Sequence, residues 1–250
     1  MGGSKTRRRN KAVRNRAARN KVPETRLALY LYLSEHISQC LLTCSPPETR
    51  LPMPRYASYN KEEVLGKAME LFWSKGYHNT SLKNLEAALN MRPGSIYAAF
   101  GSKQGLFSET LQAYLKLSRA RLDDALQREP TVLAGLAAHV RSLGCTPQIA
   151  PPARACMLVK TLLETPDDDP VLRRLTEQMM SSMEKALAEI FRVARDAGEI
   201  AADADPDRLA ARLQAEIFGL RAYAQRTDAR DRVATLADDI ARDIESLAVD

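Results

Sequence analysis

Cysteine is scarce in this sequence, and the few cysteines form no reactive or metal-binding pattern. Only four of the 250 residues are cysteine, and no two of them stand in a CxxC pair. Such usage offers neither a disulfide framework nor paired thiols for zinc, and it is typical of a protein from a reducing compartment. The sequence also lacks a glycine-rich phosphate loop, an internal repeat and any apolar run long enough to cross a membrane.

The three histidines are too scattered to form a catalytic or metal-binding constellation. Only His36 stands near cysteines, four residues before Cys40 and eight before Cys44. On a helix the outer two would be about 12 Å apart, too far to share one ion with bonds of ~2.3 Å. The acidic run at residues 167–169 lies in TPDDDP, which is typical of a solvated turn. We therefore expect no metal site, no cofactor and no enzymatic activity.

The overall composition predicts an all-α protein of one or two domains. Hydrophobic residues make up 45% and charged residues 27% of the chain, enough to bury a full core. Beyond residue 60 the apolar positions recur at helical spacings rather than alternating. The net charge of +6 comes from residues 1–52, where eleven Lys or Arg face three Glu, so residues 53–250 carry −2. The basic balance is therefore no argument that the folded part binds nucleic acid.

The basic N-terminal tail admits three interpretations. Residues 6–21 are rich in Lys and Arg without an acidic residue, which favours a disordered arm that binds nucleic acid without choosing sequence. The apolar run at residues 27–33 behind it would suit a signal peptide, but it is short. In the third interpretation Met53 is the natural start and the preceding residues are an extension without a fixed fold. We prefer this one because of the disorder-like composition.

Residues 80–100, TSLKNLEAALNMRPGSIYAAF, predict two short helices joined by a tight turn. Apolar residues of the first helix recur at spacings of three and four, and Thr80 and Ser81 precede them, where a hydroxyl can cap the helix. Unpaired N–H groups at such a start also suit a phosphate. Asn90 tolerates the left-handed conformation that ends a helix, and Pro93 suits the first position of the next one.

The second short helix presents one apolar and one polar face. Its inward residues would be Ile96, Ala99 and Phe100. The outward residues would be Arg92, Gly94, Ser95, Tyr97 and Ala98. A short helix with Arg, Ser and Tyr around small residues can approach a DNA major groove closely. We interpret Phe100 as a core residue and Tyr97, which lies off the apolar stripe, as a surface residue with a role in binding.

The residues around this motif complete a resemblance. A preceding helix over residues 62–75 ends at Gly76, and Ser102 is placed to cap a long helix. The motifs AxxLFxxxG, the TS helix start, GSIYxxF and SKxxLF follow in order within residues 68–115. This segment resembles the N-terminal domain of the TetR family of bacterial transcriptional repressors.

The resemblance implies roles for individual residues in DNA binding. Phosphate contacts are implied for Thr80, Ser81, Tyr97 and Lys103. Contacts on or near the bases are implied for Arg92, Pro93, Gly94 and Ser95. The sequence departs from the usual family pattern at Glu86, Asn90 and Ala98. Because Ala98 lacks a side chain for a groove contact, sequence recognition should fall on Arg92 and Ser95.

The remaining sequence predicts a larger helical domain. We expect domain boundaries at 1–55 (disordered basic extension), 56–103 (DNA binding, with the motif at 81–100) and 104–250 (ligand binding and dimerisation). Further helices are predicted at residues 104–127, 131–143, 153–164, 170–197, 206–226 and 228–247. Asp169, Pro170 and Asp228 give start signals, and Gly144 and Gly198 give stop signals.

In the family, the middle helices enclose a pocket for an inducer, and the last two pair with a second subunit. An adaptable, partly methionine lining would come from Cys145, Cys156, Met157, Leu158, Leu162, Met179, Met180 and Met183. A plain core is the alternative for these residues, and Cys145 or Cys156 would be a sensing thiol only if accessible. The homodimer stripe would comprise Leu209, Leu213, Ile217, Phe218 and Leu220.

The function expected from the sequence is a cytoplasmic, nucleoid-associated repressor. A homodimer would hold a palindromic double-stranded operator, with recognition helices about 34 Å apart, until a small-molecule inducer releases it. The alternative is an architectural protein that binds nucleic acid non-specifically through its basic tail. The two differ in whether one palindrome is preferred over random DNA.

Overall fold

The computed structural model describes residues 59–145, 155–166, 169–226 and 228–249. Within these ranges the chain is helical between its turns and forms no strand, only an isolated antiparallel bridge between Ile200 and Ala248. The helices are α1 (Lys61–Lys75), α2 (Leu82–Leu89), α3 (Pro93–Phe100), α4 (Lys103–Arg128), α5 (Val132–Gly144), α6 (Met157–Glu164), α7 (Pro170–Asp196), α8 (Pro206–Tyr223) and α9 (Arg230–Glu245). The all-α prediction is confirmed. The hypotheses about the tail, residues 27–33, Met53 and the His36 cluster lie outside the described residues.

Most helices begin where a short polar side chain accepts a backbone hydrogen bond. The Ser102 hydroxyl accepts from the Gly105 N–H, and Asp169 accepts from the Leu172 N–H, as predicted. The predicted Asp228 cap is wrong. Helix α9 has no side-chain cap because the Asp228 carboxylate is held instead by Arg226, two residues before it, at 2.7 Å.

Gly144 is the last residue of α5 rather than the residue after its end. A Cβ at this position would lie 2.5 Å from the Ala237 Cβ of α9, so the glycine lets the two helices approach closely. The absence of a side chain serves packing here, and not helix termination. Helix α8 ends at Tyr223, three residues before its predicted end at residue 226.

The N-terminus of α5 is capped from far along the chain. The two carboxylate oxygens of Glu199, which follows α7, accept the N–H groups of Val132 and Leu133 at 2.9 Å each. These donors have no partner within their own helix, and an anion suits the positive end of the helix dipole. The cap therefore fixes the end of α7 against the start of α5.

Two large apolar clusters organise the molecule. One contains the core of α1 to α3 (Val64, Phe72, Leu85, Ile96) and continues without a break through Leu106, Phe107, Leu111 and Tyr114 of α4 to Cys156, Met157, Leu158, Leu172 and Met179 of the segment α6–α7. The other is built by the end of α4 with α5, α7, α8 and α9. The boundary expected near residue 103 is therefore not a boundary of packing. None of the described helices has the length and apolarity to span a membrane.

Candidate nucleic-acid interface

Helix α2 begins with a reciprocal cap at an exposed serine. The Asn84 N–H donates to the Ser81 hydroxyl at 3.2 Å, and the Ser81 N–H donates to the Asn84 side-chain oxygen at 3.1 Å. This capping box fixes Ser81 at the surface with its own O–H free to donate outward. Ser81 was predictable from the sequence, whereas Asn84 was not, because the usual partner at that position is Glu or Gln.

Thr80 occupies a different environment from the one predicted. Its side chain is completely buried, and its hydroxyl donates to the Gly76 carbonyl at 2.6 Å. Its N–H is also used, in a bond to the Tyr77 carbonyl at 3.3 Å. The predicted phosphate contact from Thr80 is wrong, because both donors close the turn between α1 and α2.

Asn90 makes the sharp turn between α2 and α3. Its φ of 52° and ψ of 44° place it in the left-handed region, and its N–H bonds the Glu86 carbonyl. Asparagine is among the few side chains that adopt this conformation readily. Pro93 then begins α3 at its first position, as predicted.

Helix α3 is anchored on one side and open on the other. Ile96 and Phe100 are buried, which confirms Phe100 as core, while Tyr97 is 47% exposed. Arg92, Gly94 and Ala98 are exposed, and Pro93 and Ser95 are half-buried beside them. Arg92 makes no ion pair or hydrogen bond with its side chain in the part of the chain that the structure describes. A Cβ on Gly94 would meet no atom within 4 Å, so the face is open to a partner.

Lys103 is held over an aromatic ring at the start of α4. Its ammonium lies 4.5 Å from the centroid of the Tyr77 ring, and burial lowers its pKa. Tyr77 in turn packs against Phe107, with ring centroids 4.8 Å apart. Sequence analysis found Lys103 by resemblance but gave no sign of Tyr77, because the cation–π contact joins two residues far apart in the chain.

The C-terminal end of α1 is bound directly to α6. The Trp73 indole N–H donates to the Ala155 carbonyl at 2.8 Å, and its ring packs edge-on against Tyr114. The Lys160 ammonium donates to the carbonyls of Trp73 at 2.8 Å and Ser74 at 3.1 Å. These bonds tie α1, which precedes the helix-turn-helix formed by α2 and α3, to the rest of the protein.

The residues predicted to line an inducer pocket are mostly packed as core. Cys156, Met157, Leu158 and Met179 are buried, Met180 and Met183 pack partly buried against the same cluster, and Leu162 is half-buried. Cys145 is the exception, since it is exposed at the end of α5 and stands outside that cluster. A cavity of about 410 Å³ lies elsewhere, near Ile200, Leu209 and Leu247.

The stripe predicted to face a second subunit faces the chain's own core. Leu213 and Leu220 are 3% and 4% exposed, and Leu209, Ile217 and Phe218 are partly buried against the clusters. Leu213 and Leu220 are therefore core residues of one chain, whereas pairing through Leu209, Ile217 and Phe218 stays a prediction. The opposite face of α8 is exposed and carries small residues at Ala211, Ala215, Gly219 and Ala222.

Comparison with known proteins identifies both halves of the chain. Residues 64–110 match the family described as bacterial regulatory proteins, tetR family, and residues 133–246 match the tetracyclin repressor-like C-terminal domain. The chain is 28% identical over 183 residues to the uncharacterized HTH-type transcriptional regulator YezE of Bacillus subtilis (strain 168), covering 72% of this chain and 94% of YezE.

Two further relatives carry more specific descriptions. The HTH-type transcriptional repressor ComR of Escherichia coli (strain K12) is 28% identical over 182 residues, covering 72% of this chain and 86% of ComR. A cysteine mutant of the TetR family transcriptional regulator CifR, solved with 26-base-pair double-strand operator DNA, is 31% identical. That alignment covers 75% of this chain and 98% of CifR, with a TM-score of 0.67.

Proposed function

Because this chain belongs to the TetR family of bacterial transcriptional regulators, we propose that it is a repressor that reads a palindromic operator through α3 and is released by a small molecule. As a member of this family it is a DNA-binding regulator and not an enzyme. It acts on DNA in the bacterial cytoplasm, within the nucleoid. The observation that carries the proposal is the exposed face of α3, where the Arg92 side chain has no partner among the described residues and small residues surround it.

The roles on this face follow from side-chain chemistry. Arg92 donates two hydrogen bonds to a guanine edge, Ser95 contacts a neighbouring base, and Pro93 and Gly94 let the helix backbone come close. Ser81, Tyr97 and Lys103 contact phosphates, which set position without selecting sequence. The operator DNA in the CifR structure supports DNA binding by this chain.

Two copies are needed to read two half-sites, and the structure favours a different pairing face from the predicted one. The exposed small residues of α8 (Ala211, Ala215, Gly219, Ala222) let a second α8 approach closely across a two-fold axis. Such pairing sets the two copies of α3 about 34 Å apart, which is one turn of DNA.

Release works by changing that separation. An inducer within the C-terminal helices displaces α4, which begins at Lys103 beside the helix-turn-helix, or α6, whose Lys160 binds the end of α1. Once the two α3 helices no longer match the half-sites, the second contact is lost and affinity falls.

The test compares two alanine variants on operator fragments selected from a random DNA pool. Arg92→Ala should lose about 1–3 kcal/mol of discrimination at one base position, whereas Lys103→Ala should weaken all DNA alike and reduce the salt slope by about one. Arg128→Ala, an exposed arginine at the far end of α4, is the matched charge control and should leave DNA binding unchanged.

Two results contradict the proposal. Identical selectivity profiles for Arg92→Ala and Lys103→Ala would overturn the assignment of roles. Equal affinity of the wild type for the selected fragment and for random DNA would favour the non-specific architectural protein instead.

A further inference from the structure

An arginine inside the C-terminal domain has no counterion among the residues that the structure describes. Arg221 on α8 is only 8% exposed, yet its guanidinium makes no ion pair or hydrogen bond within the described residues. By contrast, the half-buried Arg141 of α5 is paired with the carboxylates of Asp238 and Glu245. Its nitrogens are not among the fully buried atoms without a partner, so the Arg221 guanidinium of this largely buried side chain still reaches solvent. A largely desolvated charge without a counterion is costly, and this position can take an anion from outside the chain.

The charge of Arg221 acts on the pKa of two other polar groups, Tyr114 and His139. The Tyr114 hydroxyl of α4 donates to the Cys156 sulfur at 3.6 Å, a long and weak bond. Burial, with a smaller contribution from Cys156, raises the pKa of Tyr114, while the charge of Arg221 acts in the opposite direction. The Nδ1 atom of His139 on α5 is buried without a hydrogen-bond partner among the described residues. Burial and the charges of Arg121 and Arg221 lower the pKa of His139 to about 4.

Apolar side chains of α8 and α7 pack against the cluster that contains Tyr114 and Cys156. Phe218 lies one helical turn before Arg221 on α8 and packs against the cluster that contains Tyr114 and Cys156. Met180 and Met183 of α7 pack partly buried against the same cluster. Methionine side chains adapt to irregular shapes, so this side can reshape around an apolar body.

We propose that Arg221 binds the carboxylate of a small organic acid whose apolar body lies against Phe218, Met180 and Met183. Tyr114 supplies a second donor to the same carboxylate by turning its hydroxyl from the Cys156 sulfur, a weak acceptor. His139 stays neutral at physiological pH, so the added positive charge comes from Arg221. That this acid is the inducer rests on the proposed function, whereas the binding site itself does not.

The cavity near Ile200 offers no buried cation, because Arg208 at its border is exposed. The cavity near Ile200 is bordered by Arg212, which is already paired with Glu216 and Asp243. The thiol of Cys156 is buried and accepts from Tyr114, so it offers no accessible nucleophile.

The first measurement needs no ligand. Replacing the unpaired cation in Arg221→Met should raise the Tm of the full-length protein, because an apolar side chain of similar length removes the cost of the buried charge. Arg128→Met, at an exposed ion pair, is the matched control and should leave the Tm unchanged. A fall in the Tm of Arg221→Met would show that Arg221 already has its partner and would overturn the proposal.

The second measurement uses straight-chain carboxylates from acetate to dodecanoate, and benzoate, each against the amide of the same shape. At least one carboxylate should raise the Tm of the wild type more than its amide does. Calorimetric titration should then show at least about tenfold weaker binding to Arg221→Met, since charge-assisted hydrogen bonds are lost. No difference between carboxylates and amides, or equal binding to both proteins, would overturn the site.

The release step is tested separately. A carboxylate that binds through Arg221 and releases the selected operator fragment supports both proposals. A carboxylate that binds through Arg221 without releasing DNA supports the site and contradicts induction by the acid.

Discussion

Lys160→Met should destabilise the protein by about 2–4 kcal/mol. The Lys160 side chain is one-fifth exposed, and its ammonium donates to the Trp73 and Ser74 carbonyls, two of the last four carbonyls of α1. Such carbonyls have no partner within their helix, and each charge-assisted bond contributes about 1.5–3 kcal/mol. The 3.7 Å ion pair to the more exposed Glu164 adds little. Methionine keeps most of the apolar stem, so part of the packing survives and the estimate stays below the sum of two bonds.

The assay is equilibrium urea unfolding of the full chain, with affinity for the selected operator measured in parallel. Lys160→Arg, which keeps the charge and the donors, should retain more stability than Lys160→Met. Lys67→Met is the control, because Lys67 forms an exposed ion pair with Glu63 on α1 and should cost less than about 1 kcal/mol. If Lys160→Met costs no more than Lys67→Met, the bond between α6 and the end of α1 does not stabilise the fold as argued. Inducer response should weaken in Lys160→Met if this bond transmits release.

Two further predictions concern pH and assembly. The pKa of His139 falls from 6.5 in the unfolded chain to about 4 in the folded one. His139 therefore contributes about 3 kcal/mol to the free energy of unfolding above pH 6.5, and this contribution is lost as the pH falls toward 4. In urea unfolding, the free energy of unfolding should fall less between pH 7 and pH 4.5 for His139→Gln than for the wild type. An equal fall in the two proteins would refute this role of His139. Ala215→Glu on the exposed face of α8 should shift the protein from dimer to monomer in sedimentation, unlike Ala120→Glu on α4; a dimeric Ala215→Glu would exclude that face.

Features that depend on neighbouring residues could be predicted from the sequence. Ser81, Ser102 and Asp169 cap helices through bonds to residues three positions later, and Asn90 turns the chain by its own backbone preference. That Ile96 and Phe100 of α3 are buried while Tyr97 is exposed follows from the helical period alone. The helix starts, the turn and the exposed face of the candidate DNA interface could therefore be predicted before the fold was known.

Features that depend on distant partners could not be predicted. An amphipathic stripe shows that α8 must be covered, but not whether α7 and α9 or a second subunit covers Leu213 and Leu220. Thr80 looked like a cap because the carbonyl of Gly76 that accepts its hydroxyl lies in the preceding turn. The partners of Lys160 stand 86 and 87 residues away, and no local pattern points to them.

The apolar cluster that runs from α1 through α4 into α6 and α7 limits how this regulator can be recombined. A chimera that joins its first three helices to the ligand-binding half of a relative would leave Trp73 facing a foreign surface, without the Ala155 carbonyl that accepts its indole N–H. Exchange should succeed only when the segments carrying Cys156 to Leu158 and Leu172 to Met179 travel with the helix-turn-helix. The segments that must be exchanged together with the helix-turn-helix are thus contiguous in space but separated in the gene.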